Sequence, residues 1–163
     1  MKDNYSCYNK LNNLYLDAIS KEILQVVAVD TCSNDIYVRC LSDHTVTCWS
    51  DTEDFARILI DEEILTAMGF EQSNICTYQY RIDHLDHKIK IYCHSRYFKP
   101  YMKISYDFRD CIGTREFRFD NGHTDINCLL NILIENFDDE QCRQLYEAFV
   151  NRIERYINNK YSV

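Results

Sequence analysis

The stretch ICTYQYRI at residues 75–82, followed by KIKIYCH at 88–94, MKISYDFR at 102–109 and EFRF at 116–119, decides the fold. In each piece apolar and polar residues alternate. Cys76, Tyr78, Tyr80 and Ile82 share one phase, with Thr77, Gln79 and Arg81 in the other. Ile89, Ile91 and Cys93 alternate with Lys88, Lys90, Tyr92 and His94. Met102, Ile104, Tyr106 and Phe108 alternate with Lys103, Ser105, Asp107 and Arg109, and Phe117 and Phe119 alternate with Glu116 and Arg118. A period of two marks a strand with one buried and one wet face. The β-branched and aromatic content suits a pleated surface. Residues 83–87 read as a hairpin connection, and Gly113, within 110–114, reads as a second turn. Pro100, the only proline, falls between the second and third runs, where no ladder needs its missing N–H. The stretch therefore reads as a four-stranded antiparallel meander.

The wet phase of that meander carries charge. Residues 81–118 hold nine basic and five acidic side chains, a net of +4 in a chain of formal net charge −8, which leaves −12 elsewhere. Alternation puts Arg81, Lys88, Lys90, Lys103, Arg109 and Arg118 on the non-core side, with Tyr92 among them. A solvated sheet face of mixed charge is the ordinary outcome of such a pattern. A docking face for an acidic partner or a phosphate backbone is the functional one.

Working outward, residues 8–24 read as a helix. Leu11, Leu14, Tyr15 and Ala18 make one stripe, with Leu16, Ile19 and Ile23 beside it, so the helix is expected to be buried on more than one side. Residues 26–29, 36–41 and 45–49 read as strands, the last two forming a hairpin after the turn signals at 33–35 and 42–44. Ser50 and Glu53 match a capping box. It would open a helix carrying Phe55, Ile58 and Leu59. That helix would break near Asp61 and restart with Ile64, Leu65 and Met68, and Gly69 suits its C-terminal end.

After a turn at 120–122, Thr124 can cap a helix running from 125 to 137, apolar nearly all round. Asp138 and Gln141 resemble a second capping box. It opens an amphipathic helix whose Cys142, Leu145, Tyr146, Phe149, Val150, Ile153, Tyr156 and Ile157 share a stripe of about 140°. The expected fold is α+β: an antiparallel β-meander with one face covered by helices, namely an N-terminal helix, a short central helical segment and two C-terminal helices. A single domain over 1–163 is expected, with lobes 1–70 and 71–163 as an alternative division.

Composition narrows the function. With 46% hydrophobic and 27% charged residues, the chain is too apolar for disorder. Low Gly, Ala and Pro with many Asn, Ile, Lys and Tyr suggest AT-rich coding, as in some large DNA viruses and parasites. The nine cysteines (7, 32, 40, 48, 76, 93, 111, 128 and 142) are odd in number and scattered, and the start has no apolar core of a secretory signal. Reduced thiols in a cytoplasmic or nuclear protein are the expectation. No apolar run approaches the roughly 20 residues of a membrane span.

Chemistry is hard to find in the sequence. Asp83, His84, Asp86 and His87 crowd one turn, but no Cys-x-x-Cys supplies a complete zinc set, so no metal or cofactor is expected. Cys93 and His94 are neighbours on a strand and face opposite sides, so they cannot pair as nucleophile and base. Three isolated glycines exclude a phosphate loop, and no nucleophile elbow occurs.

The leading expectation is a non-enzymatic protein–protein interaction module: an adaptor, inhibitor or assembly subunit. Its contact residues would be Arg81, Lys88, Lys90, Tyr92, Lys103, Arg109 and Arg118 on the sheet face, with Tyr146 and Tyr156 on the last helix. The partner would present an acidic surface, and a homo-oligomer fits the same polarity. The alternative is single-stranded nucleic acid on the basic face, opposed by a pI near 5.0. An enzyme assembled from distant residues is the third reading.

Overall fold

The computed structural model describes residues 10–50, 54–82, 87–93, 101–108, 112–118 and 124–162, with the side chains of 93, 101, 117, 118 and 124 left out of that description. Among the described residues there are twelve strands and three helices in an α+β arrangement with two five-stranded antiparallel sheets. The chain divides into two compact units. One comprises Met1–Ile58 with Glu154–Val163; the other is Leu59–Ile153.

The first unit is built on hairpins. Its strands are β1 (Leu14–Asp17), β2 (Ile23–Val29), β3 (Ile36–Cys40), β4 (Val46–Trp49) and β5 (Phe55–Ala56), in the order β4-β3-β2-β1-β5. The helix expected over 8–24 is not found among the described residues of that range, 10–24: residues 14–29 form an antiparallel pair in which Leu14 faces Gln25 and Leu16 faces Ile23. The physical reason is burial on two sides. Tyr15, Leu24 and Val26 point into a core with Ile36, Val38, Cys40 and Phe55. Leu14, Leu16, Ile23 and Gln25, in the opposite phase, are buried as well. A run buried on both faces loses its alternation and mimics a buried helix. Within the core the Tyr15 and Phe55 rings stack at 5.7 Å and Trp49 meets Phe55 at 5.0 Å.

Three hairpin turns close in the same way. The N–H of the fifth residue donates to the carbonyl of the first, Lys21 to Asp17, Asn34 to Asp30 and His44 to Cys40, each at 2.8 Å. The first residue's N–H donates to the sixth residue's carbonyl, Asp17 to Glu22, Asp30 to Asp35 and Cys40 to Thr45, each at 2.9 Å. The fifth residue is left-handed in every case, with φ of 63°, 61° and 62° at Lys21, Asn34 and His44. Carboxylates complete the turns. Asp17 accepts from the Ile19 N–H at 2.9 Å, Asp30 from Cys32 at 2.8 Å, and Asp43 from Thr45 at 2.9 Å. These bonds to the charged form hold the Asp30 and Asp43 carboxyls below the ordinary carboxylate pKa.

In the second unit the meander stands as the alternation predicts, with one further strand. β7 (Glu71–Asn74), β8 (Thr77–Arg81), β9 (Lys88–Cys93), β10 (Tyr101–Asp107) and β11 (Ile112–Arg118) pair consecutively. Tyr78, Ile89, Ile91, Met102, Ile104 and Tyr106 are buried, and Tyr80 is half-buried. Gly113 is a strand residue here, not a turn residue: it pairs with Tyr106, whose ring lies over it where a Cβ would stand. Arg115 takes the apolar phase and is ion-paired with Glu135, which raises the guanidinium pKa.

The helices of this unit start and stop for local reasons. α1 (Glu62–Met68) is capped by Asp61, whose carboxylate accepts from the Ile64 N–H at 2.8 Å. It ends at Gly69 with φ 100°, and the Phe70 N–H bonds the Leu65 carbonyl at 2.9 Å. The helix expected over Phe55–Leu59 is instead β5 and β6 (Leu59–Ile60), and residues 51–53 of its proposed capping box lie outside the described residues. β6 pairs with β12 (Thr124–Asp125), so Thr124 is a strand residue and not a cap. α2 (Asn127–Ile134) begins two residues after Asp125, whose carboxylate accepts from the Asn127 N–H at 2.9 Å. α2 ends before Phe137. α3 (Glu140–Tyr161) is capped one residue later than expected, by Asp139 accepting from the Gln141 N–H at 2.8 Å.

Specific contacts tie these elements together. Phe149 of α3 meets Phe70 at 5.7 Å and Tyr80 of β8 at 5.0 Å. Arg152 donates from Nη1 to the Met68 carbonyl at 2.7 Å and to the Tyr80 hydroxyl at 3.3 Å. It thus puts a cation at the negative end of α1.

Candidate functional site

The face that carries the candidate residues is the polar phase of the β7–β11 sheet, and its register can be read strand by strand. Arg81 lies opposite Lys88, which lies opposite Asp107, which lies opposite Ile112. The next row is Glu71, Gln79, Lys90, Ser105 and Thr114. The third is Thr77, Tyr92, Lys103 and Glu116. Arg81, Thr114 and Glu116 are exposed; Gln79, Lys88, Lys90, Tyr92, Lys103, Ser105 and Asp107 are half-buried. Such values fit long side chains lying along a sheet that solvent reaches, with stems covered and heads wet.

The strands thus bring Arg81, Lys88, Lys90, Tyr92 and Lys103 onto one face. Arg118 belongs to β11 by backbone only, and Arg109 lies outside the described residues. The face is less basic than a count along the sequence suggests. Its four described cations share it with Glu71, Asp107 and Glu116, a net of +1. The signal for Asp107 and Glu116 was in the alternation itself, which gives both the same phase as the lysines. Glu71 required knowledge of β7, which has no apolar phase to betray it: all four of its residues are exposed. Lys103 also has a local use, since its Nζ sits 5.6 Å from the centroid of the Tyr92 ring.

The last helix offers less surface than its stripe suggested. Tyr146 is buried at 5% exposure, its ring edge-on to Phe137 at 5.1 Å, so it packs in the core and presents little surface to a partner. Tyr156 is half-buried in the first unit, where Lys160 stands over its ring at 5.8 Å. Beside it, Tyr161 is approached by Lys160 and Lys21, each 5.7 Å from its centroid.

Among the described residues no cluster of His, Cys, Asp and Glu has the makings of a metal site. Asp83, His84 and Asp86 lie outside them, as do His94 and the side chain of Cys93. Cys32, Cys40, Cys48, Cys76, Cys128 and Cys142 are not joined in disulfides, and Cys40 and Cys142 are buried. No helix among the described residues is long and apolar enough to cross a membrane. No family model, curated protein or solved structure matches this chain.

Proposed function

We propose that this chain is a non-enzymatic interaction module that binds an acidic protein partner on the polar face of its β7–β11 sheet. The observation that carries the reading is the register: Arg81, Lys88, Lys90 and Lys103 come from three strands onto one solvent-reached face of a chain of net charge −8. Opposite polarity on one molecule steers a charged partner to one side of it. The polar rows around the cations supply neutral hydrogen-bonding groups in Gln79, Ser105 and Thr114.

The test is affinity capture with the wild-type chain and with a Lys88→Glu/Lys90→Glu/Lys103→Glu variant, with folding of both checked by thermal unfolding. A stoichiometric partner that is retained by the wild type and lost from the folded variant supports the reading. Undiminished capture by the variant removes this face as the contact.

Single-stranded nucleic acid is the second reading, favoured by one observation, the aromatic Tyr92 on the same face as four cations. It requires binding of generic RNA or DNA that weakens steeply with salt. No shift in an electrophoretic assay at low salt excludes it.

A further inference from the structure

The cations of the polar sheet face are concentrated, and the register says where. β8 and β9 carry Arg81, Lys88 and Lys90 on this face and no carboxylate. Acids line both margins: Glu71 on β7 is opposite Gln79, while Asp107 on β10 and Glu116 on β11 lie on the other side. The fourth cation, Lys103, is opposite Glu116. The excess positive charge is therefore a band two strands wide, with about 5 Å between the strands.

Arg81 and Lys88 stand directly opposite each other, an arrangement that repels across a ladder. Among the described residues neither of them, nor Lys90, has an ion-pair partner. Lys88 has Asp107 across from it, but Lys90 is flanked by the neutral Gln79 and Ser105. Like Arg81, it has no carboxylate opposite it, and it stands in the middle row of the face. Lys88 and Lys90 project from one strand two residues apart, about 7 Å.

We propose that this band is a track for a single extended acidic peptide segment with carboxylates at alternate positions, lying along β8 and β9 with Lys90 at its centre. The inference rests on the reading that this face binds an acidic protein. An extended peptide presents every second side chain to one side at the same repeat of about 7 Å, so carboxylates two residues apart meet Lys88 and Lys90 together. The acidic margins repel an anionic surface broader than the band, which is how a site rejects the wrong partner. A nucleic-acid strand fits less well, because the Tyr92 ring that would stack a base already holds the Lys103 ammonium.

The experiment is fluorescence anisotropy at low salt with three labelled eight-unit probes: an alternating Glu-Ser peptide, a peptide of the same composition with its glutamates in one block, and an oligothymidylate. The alternating peptide is expected to bind about threefold tighter than the blocked one. Lys90→Glu is expected to weaken it about tenfold, because reversal exchanges attraction for repulsion at contact distance. Lys90→Gln falls between, and Lys103→Glu, at the margin opposite Glu116, weakens binding about threefold, less than Lys90→Glu does.

Equal binding of the two peptides with equal losses at Lys90 and Lys103 overturns the track and leaves an acidic partner standing. Failure of the wild type to bind either peptide overturns both. Tighter binding of the thymidylate than of either peptide overturns both in favour of nucleic acid.

Discussion

The β1–β5 sheet and the β7–β11 sheet each have five antiparallel strands, and they spend their surfaces differently. In the first, β1 and β2 are buried on both faces: Leu14, Tyr15, Leu16, Ile23, Leu24 and Val26 are all at or below 6% exposure. Its turns pass through left-handed Lys21, Asn34 and His44. In the second, one phase of the central strands is buried apart from the half-buried Tyr80, while the other is half-buried or exposed apart from the buried Thr77. Two-sided burial commits every side chain of a strand to packing. One-sided burial leaves a full row of side chains free for a partner, which is why the candidate contact lies on β8 and β9 and not on β1 and β2.

Core truncation gives the largest expected effect. Phe149→Ala removes a fully buried ring that contacts Phe70 and Tyr80, and should destabilise the second unit by about 3–5 kcal/mol. Urea unfolding followed by signals from Trp49, which lies in the first unit, and by amide exchange in β8–β10 separates the two sheets. A simultaneous loss in both would mean that they unfold as one.

Next in size is Gly113→Val, which places a side chain where the Tyr106 ring lies. A cost of about 1–3 kcal/mol in denaturant melts is expected. Arg152→Ala should cost about 1–2 kcal/mol by withdrawing a charged donor from the Met68 carbonyl and the Tyr80 hydroxyl.

Smaller still are the left-handed turns. His44→Gly should stabilise the chain by up to about 1 kcal/mol, since glycine adopts that conformation without a Cβ clash. Lys21→Gly should gain less, because it forfeits the ammonium over Tyr161. Equal gains at the two positions would show that contact to be idle.

Acid should loosen the first sheet's turns. Asp30 and Asp43 have pKa values lowered in the folded chain, so their contribution is complete above the unfolded value near 3.8 and disappears as pH falls through the lower folded values. The protection factors of the Cys32 and Thr45 amides, taken against the intrinsic exchange rate at each pH from 5 downward, should fall in that window and hold steady in Asp30→Asn and Asp43→Asn variants.

The same contrast explains what the sequence disclosed. The meander could be read because Ile89, Ile91, Met102 and Ile104 alternate with solvent-facing Lys90, Tyr92 and Lys103. α1 could be read from Asp61 and Gly69, and the core stripe of α3 from its spacing. The β1–β2 hairpin was hidden, because a run without alternation imitates a buried helix and because the left-handed seat of its turn is filled by Lys21, a residue that signals nothing. β5 and β6 were hidden because their partners, residues 16–17 and 124–125, are distant in sequence. At the candidate site the cations were legible from phase. Their crowding on β8 and β9 was not, because it depends on which strand neighbours which.

The division of the chain carries a consequence for biosynthesis. Residues 59–153 form a unit inserted within another, whose two pieces are 1–58 and 154–163. The inserted unit can close on itself once residue 153 has emerged from the ribosome, whereas the outer one cannot be finished until residues 154–163 follow and bring Tyr161 to Lys21. A nascent chain that has emerged only as far as residue 153, with its later residues still in the ribosomal tunnel, would therefore hold a complete inserted unit and an outer unit lacking residues 154–163. The order of maturation is thus the reverse of the order in which the two units begin.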